Sequence, residues 1–97
     1  MSIFNADAKL DLAVHVLATP HKGLHELLIH AWTQALCDIR VSDLPSALRA
    51  DFEYIVGQLT GGGTVESSLG GMDSGRLDNI ARRIRGLAHA VDQETTR

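Results

Sequence analysis

The apolar pattern of this chain is narrow near its end and wide near its beginning, and that contrast limits what it can fold into. From Leu77, apolar residues recur at Ile80, Ile84, Leu87 and Val91. These steps of three and four put a single stripe on a helix that packs on one side. The first two helical segments carry arcs too wide for one neighbour. In the first, predicted over residues 6–18 with Asn5 as N-cap, Leu10, Ala13, Val14 and Leu17 form the main face, while Leu12 and Val16 lie well round from it. In the second, predicted from residue 24 to about residue 40, Leu24, Leu27, Leu28, Ala31, Ala35 and Ile39 mark one face. Ile29, Trp32 and Leu36 carry that face past half the circumference, which predicts a central position for this helix.

A third helix carries Leu44, Leu48, Phe52, Ile55 and Leu59, with Ser42 or Asp43 as cap and Pro45 in the first turn. Gly61, Gly62 and Gly63 break it, making residues 60–64 the main hinge candidate. A short turn capped by Thr64 packs Val65 and Leu69, and the last helix starts after Asp73 and runs to about residue 92. Met72 and Leu77 stand at the positions of a hydrophobic staple around that cap. Residues 93–97 read as a frayed polar tail. No segment has the alternation of a strand. The expected fold is all-α: a compact antiparallel bundle of four main helices with a short extra helical turn before the last, forming one domain over residues 1–97.

At 97 residues, folding buries only roughly 60–70% of the unfolded chain's surface, so a second subunit would add stability. The net charge of −3 removes the general attraction for nucleic acid and anionic membranes. No apolar run approaches the roughly 18 residues needed to cross a bilayer, and no leader pattern opens the chain. Cys37 is the only cysteine, so no internal disulfide forms. The expected location is the cytoplasm.

Each chemical motif has a plainer structural explanation. His15, His21 and His25 cluster near the first hairpin, where they could converge on a metal, but neither a cysteine cluster nor an extended His-Glu motif accompanies them. Surface histidines with His25 packed account for the pattern, and no metal or other cofactor is expected. Cys37 and His30 share a side of the second helix, yet seven residues of helix separate them by roughly 10 Å, too far for a catalytic dyad. The run Gly61 to Thr64 lacks the lysine of a phosphate loop and follows no strand. Arg76, Arg82, Arg83 and Arg85 make the last helix the basic element, and they carry the alternative reading of a nucleic-acid-binding regulator. They form no single stripe, and Asp78 stands four residues before Arg82, the spacing of a surface ion pair.

Leu17-Ala18-Thr19, Asp43-Leu44-Pro45 with Leu48-Arg49 and Asp51-Phe52, Leu59-Thr60, Gly63-Thr64-Val65, Met72, and Ile80-Ala81 with Ile84, Leu87 and Val91 together form a pattern. It resembles that of small all-helical bacterial proteins of uncharacterised function. The resemblance implies a bacterial or phage-borne origin and no activity, ligand or catalytic residue. At the start of the last helix, where the resemblance leads one to expect acidic residues, this chain has Asp73-Ser74-Gly75-Arg76. The functional expectation is a non-enzymatic protein-interaction or regulatory module, acting as a homodimer or on another protein. Its anchors are Leu12, Val16, Ile29, Trp32 and Leu36, with Trp32 first because buried aromatics dominate interfaces.

Overall fold

The computed structural model describes residues 3–19, 23–61 and 63–95. Five α-helices and two 3₁₀ turns make up the described regular structure, with no strand among these residues. The fold class is therefore all-α. Helix α1 spans Ile3–Leu17, α2 Leu24–Gln34, α3 Ser46–Thr60, α4 Val65–Gly70 and α5 Ser74–Thr95; the 3₁₀ turns are Leu36–Asp38 and Val41–Asp43.

Helix α1 begins earlier than its cap signal suggests, and Asn5 lies inside it. An asparagine favours a cap because its side chain competes for local backbone groups. Here the amide has another partner, donating to Asp43 Oδ2 at 3.5 Å. The buried seam of the helix is Ala6, Leu10, Ala13 and Leu17, at the expected steps of four and three.

The second helix is where pattern and structure part. It stops at Gln34 rather than near residue 40. Ala35 then leaves helical geometry, with φ −139° and ψ −61°, and a 3₁₀ turn follows. Burial explains the break. On an unbroken helix Leu36 would stand roughly 130° from the centre of the Leu27, Leu28 and Ala31 face, well outside the core. The break swings it inward, leaving its side chain 1% exposed. Ile39 and Leu44, at 6% and 2%, reach the same core along the irregular segment that follows. Full burial of an apolar side chain is worth on the order of 2 kcal/mol, and the 3₁₀ turn keeps hydrogen bonds from the Asp38 and Ile39 N–H groups to the Ala35 and Leu36 carbonyls, so little is given up to bury Leu36.

The start of α3 is also displaced. Leu44 is extended, at φ −104° and ψ 149°, the geometry favoured before a proline. Pro45 is consequently the N-cap rather than a first-turn residue. Asp43 does not cap α3; it accepts the Arg40 backbone N–H at 3.3 Å and closes the second 3₁₀ turn. Helix α3 buries Phe52, Ile55 and Leu59. Past its end, Gly63 adopts φ 101°, in the left-handed region that costs other residues strain; the hinge residue Gly62 lies outside the described residues.

The remaining elements follow their local signals. Thr64 Oγ1 accepts the Ser67 N–H at 3.0 Å and caps α4, which buries Val65 and Leu69. Asp73 Oδ1 accepts the Arg76 N–H at 2.8 Å and caps α5. Every member of the seam Leu77, Ile80, Ile84, Leu87 and Val91 is buried. The helix continues to Thr95, past the end its seam predicts, and its last turn lies near Asp7 of α1. The tail expected to fray is thus helical through residue 95, and residues 96–97 lie outside the described residues.

Packing makes α5, not α2, the central helix. It runs for 22 residues against 11 in α2 and buries seven side chains against three. It packs on α1, α2 and α3, with α1–α5 the most extensive pairing in the molecule. One apolar core draws residues from all five α-helices and both 3₁₀ segments with their flanks. The radius of gyration of 12.6 Å matches the roughly 12.5 Å of a compact chain of this length.

Candidate interaction surface

The five expected interface anchors separate into three groups. Leu12 and Val16 are four residues apart on α1, on a flank turned away from its buried seam. Leu12 is 39% exposed, and Val16 is half-buried against the core. Ile29 and Trp32, three apart on α2, also pack on the core while keeping part of their surface. Leu36 is corrected: the break at Ala35 makes it a core residue with no surface to offer a partner.

A lattice of polar contacts ties the α1 flank to the segment after α2. Lys9 Nζ lies 3.4 Å from Asp38 Oδ2, and Asn5 bonds to Asp43 as described. The Lys9 pair is exposed and contributes little energy, but together the two contacts place both 3₁₀ turns beside the first half of α1. Leu12 stands on this flank without an ionic cover. Among the described residues one other large apolar side chain is exposed, Tyr54 at 42%, and its ring is roofed by the Arg83 guanidinium at 4.3 Å.

The arginines of α5 are largely engaged within the fold. Arg82 Nε donates to Asp78 Oδ2 at 2.7 Å, the expected four-residue pair. Arg83 lies over Tyr54, and Arg76 Nη2 donates to Gln58 Oε1 at 3.0 Å. Arg85 is exposed. Three separate engagements in three directions do not make a phosphate-tracking stripe.

His15 is exposed and His25 and His30 are half-buried; His21, and with it the proposed convergence, lies outside the described residues. Among the described residues no group of three histidine, cysteine or acidic side chains could hold a metal ion. Cys37 sits on the first 3₁₀ turn, exposed, its thiol donating to the Thr33 carbonyl at 3.3 Å.

Two features carried no recognisable signal in the sequence. Asp7, half-buried on α1, has a buried Oδ1 without a hydrogen-bond partner. Burial pushes its carboxyl above the usual carboxylate range, the charges of Asp11 and Asp92 add to the effect, and the Thr95 side chain opposes it. The second is a shallow, open polar depression of about 340 Å³ between α3, α4 and the start of α5, lined in part by Gln58, Ser67 and Arg76, with most of its lining residues exposed. Its residues come from three elements, so no local spacing announces it; Gly57 on α3 and Gly61 at its C-cap, four residues apart, are the nearest thing to a hint.

Comparison with models of known families, with curated proteins and with solved structures finds no match to this chain. Among the described residues no helix is long and apolar enough to cross a membrane.

Proposed function

We propose that this protein is a non-enzymatic interaction module that pairs with a second copy of itself in the cytoplasm through the exposed flank of α1, with Ile29 and Trp32 of α2 extending the contact. The observation that carries this reading is Leu12. It stays 39% exposed beside a half-buried Val16 and is wholly aliphatic, whereas the other exposed large apolar residue, Tyr54, has the Arg83 guanidinium over one face of its ring and carries a hydroxyl that suits it to water. Two-fold pairing would bring the same strip from each copy together. A net charge of −3 per chain opposes association only weakly at physiological salt. The nucleic-acid reading loses support because Arg82 is ion-paired with Asp78 and Arg83 lies over Tyr54, which leaves Arg76 and Arg85, nine residues apart and on opposite faces of the helix.

The test is the solution mass by size-exclusion chromatography with light scattering across a concentration series. The parent chain is expected to reach twice its 10.5 kDa mass, and Leu12→Lys to remain at the single-chain mass with an unchanged far-ultraviolet spectrum. A parent that stays monomeric throughout overturns the reading. So does a Leu12→Lys variant that loses helicity, because Leu12 would then belong to the core.

The same reading includes an antiparallel α1–α2 hairpin within the bundle. Its support is that Lys9 and Asn5, early in α1, meet Asp38 and Asp43, which follow the end of α2. Cys37 is exposed and unique, so a spin label there can check it. Amide signals of residues 5–9 should broaden strongly, and those of residues 15–19 much less; the reverse pattern would exclude the hairpin.

A further inference from the structure

The depression between α3, α4 and α5 is lined by hydrogen-bond donors from three elements. Arg76 reaches across it and gives one N–H to Gln58 Oε1 at 3.0 Å. A guanidinium has five N–H donors, so most remain for other partners. Turning the Gln58 carbonyl toward Arg76 leaves that side chain's NH₂ group as the donor without a partner among the described residues. The Ser67 hydroxyl, also on the lining, is likewise without one.

No carboxylate is in this lining. Of the two acids nearest Arg76 in the chain, Asp78 is paired with Arg82, and Asp73 turns Oδ1 to the Arg76 backbone N–H at 2.8 Å and serves the helix end. Among the described residues no acid forms an ion pair with the Arg76 guanidinium, in contrast to Arg82, which is paired with Asp78. The floor is bare backbone. A Cβ built at Gly57 or at Gly71 would meet nothing within 4 Å, so the space over these glycines is open to a ligand. The volume of about 340 Å³ lies at the small end of the range for ligand sites.

From these observations we infer that the cleft binds a small molecule through an oxyanion, a carboxylate or a phosphoryl group. A cation with a planar fork, an amide donor and a hydroxyl around an open floor offer what such a group accepts, and they offer no acceptor charge that would repel it. The oxyanion sits against Arg76, Gln58 and Ser67, and the rest of the ligand extends over Gly57 toward Met72.

The full chain, labelled with nitrogen-15, is titrated with sodium phosphate and separately with sodium malonate, with ionic strength held constant by sodium chloride. Saturable shifts are expected at the Gln58 side-chain amide, at Arg76 Nε–H and at the Gly57 and Gly71 backbone amides. Tighter binding of phosphate assigns the site to a phosphoryl ligand, and tighter binding of malonate to a carboxylate. Arg76→Gln is expected to weaken the preferred anion about tenfold or more, because it replaces charge-assisted bonds by neutral ones. Gly57→Leu keeps Arg76 and fills the open floor, and it is expected to weaken binding similarly. Shifts that do not saturate with either anion, shifts that spread equally to Arg85, or an Arg76→Gln variant that titrates like the parent each overturn the assignment.

Discussion

A Leu36→Ala variant is expected to lose about 2–5 kcal/mol of unfolding free energy, the range for removing a fully buried leucine and leaving a cavity. The side chain is 1% exposed and belongs to the continuous core. Against a total stability of about 5–15 kcal/mol for a domain, that is a large fraction, and each kcal/mol lowers Tm by roughly 4–8 °C at this size. Leu12→Ala, at a residue 39% exposed, should change monomer stability by no more than about 0.5 kcal/mol. Urea unfolding of both variants under conditions where the chain is monomeric makes the comparison. Equal losses at the two positions would mean that Leu36 is not turned into the core and that α2 does not break at Ala35.

Asp7→Asn should stabilise the protein, and the gain should depend on pH in a defined direction. Burial, followed by the charges of Asp11 and Asp92, raises the Asp7 pKa in the folded chain above its ordinary 3.8. The folded state therefore holds the proton more firmly than the unfolded state. As pH rises from the ordinary value through the raised one, the parent loses stability, and above that window the deficit is constant. Asparagine has no charge to bury. Its advantage is expected to be near zero at the acid end and to grow as pH rises through the carboxylate range. Above the raised pKa the advantage levels off, and the partial exposure of the side chain keeps it small. Thermal melts of both proteins across that range measure the difference directly. A difference that stays flat with pH would contradict an ionisation penalty at Asp7.

The two variants also mark the limits of what periodicity conveys. The seam of α5 is visible in the sequence because every contact it needs is set by its own helical repeat, and all five marked positions are buried. The Thr64 and Asp73 caps are visible for a similar reason, since each hydrogen bond closes within three residues. Leu36 was assigned to an outer arc because an unbroken helix puts it there. Nothing local at Ala35 announces the break: alanine is the best of helix formers. The anion cleft was illegible for another reason, because Gln58, Ser67 and Arg76 meet only after three helices have packed.

What this sequence determined by itself is helical identity, the helix caps before α4 and α5, and the one-sided burial of α5. Each of these depends on interactions within a few residues along the chain. Only the tertiary structure decided that α5 rather than α2 lies at the centre, that the chain leaves helical geometry after Gln34, and that Asp7 comes to lie near Asp92. Those outcomes depend on which apolar side chains share one closed volume. The burial of Leu36 is what a longer α2 would forgo, and that comparison exists only once the other helices are in place.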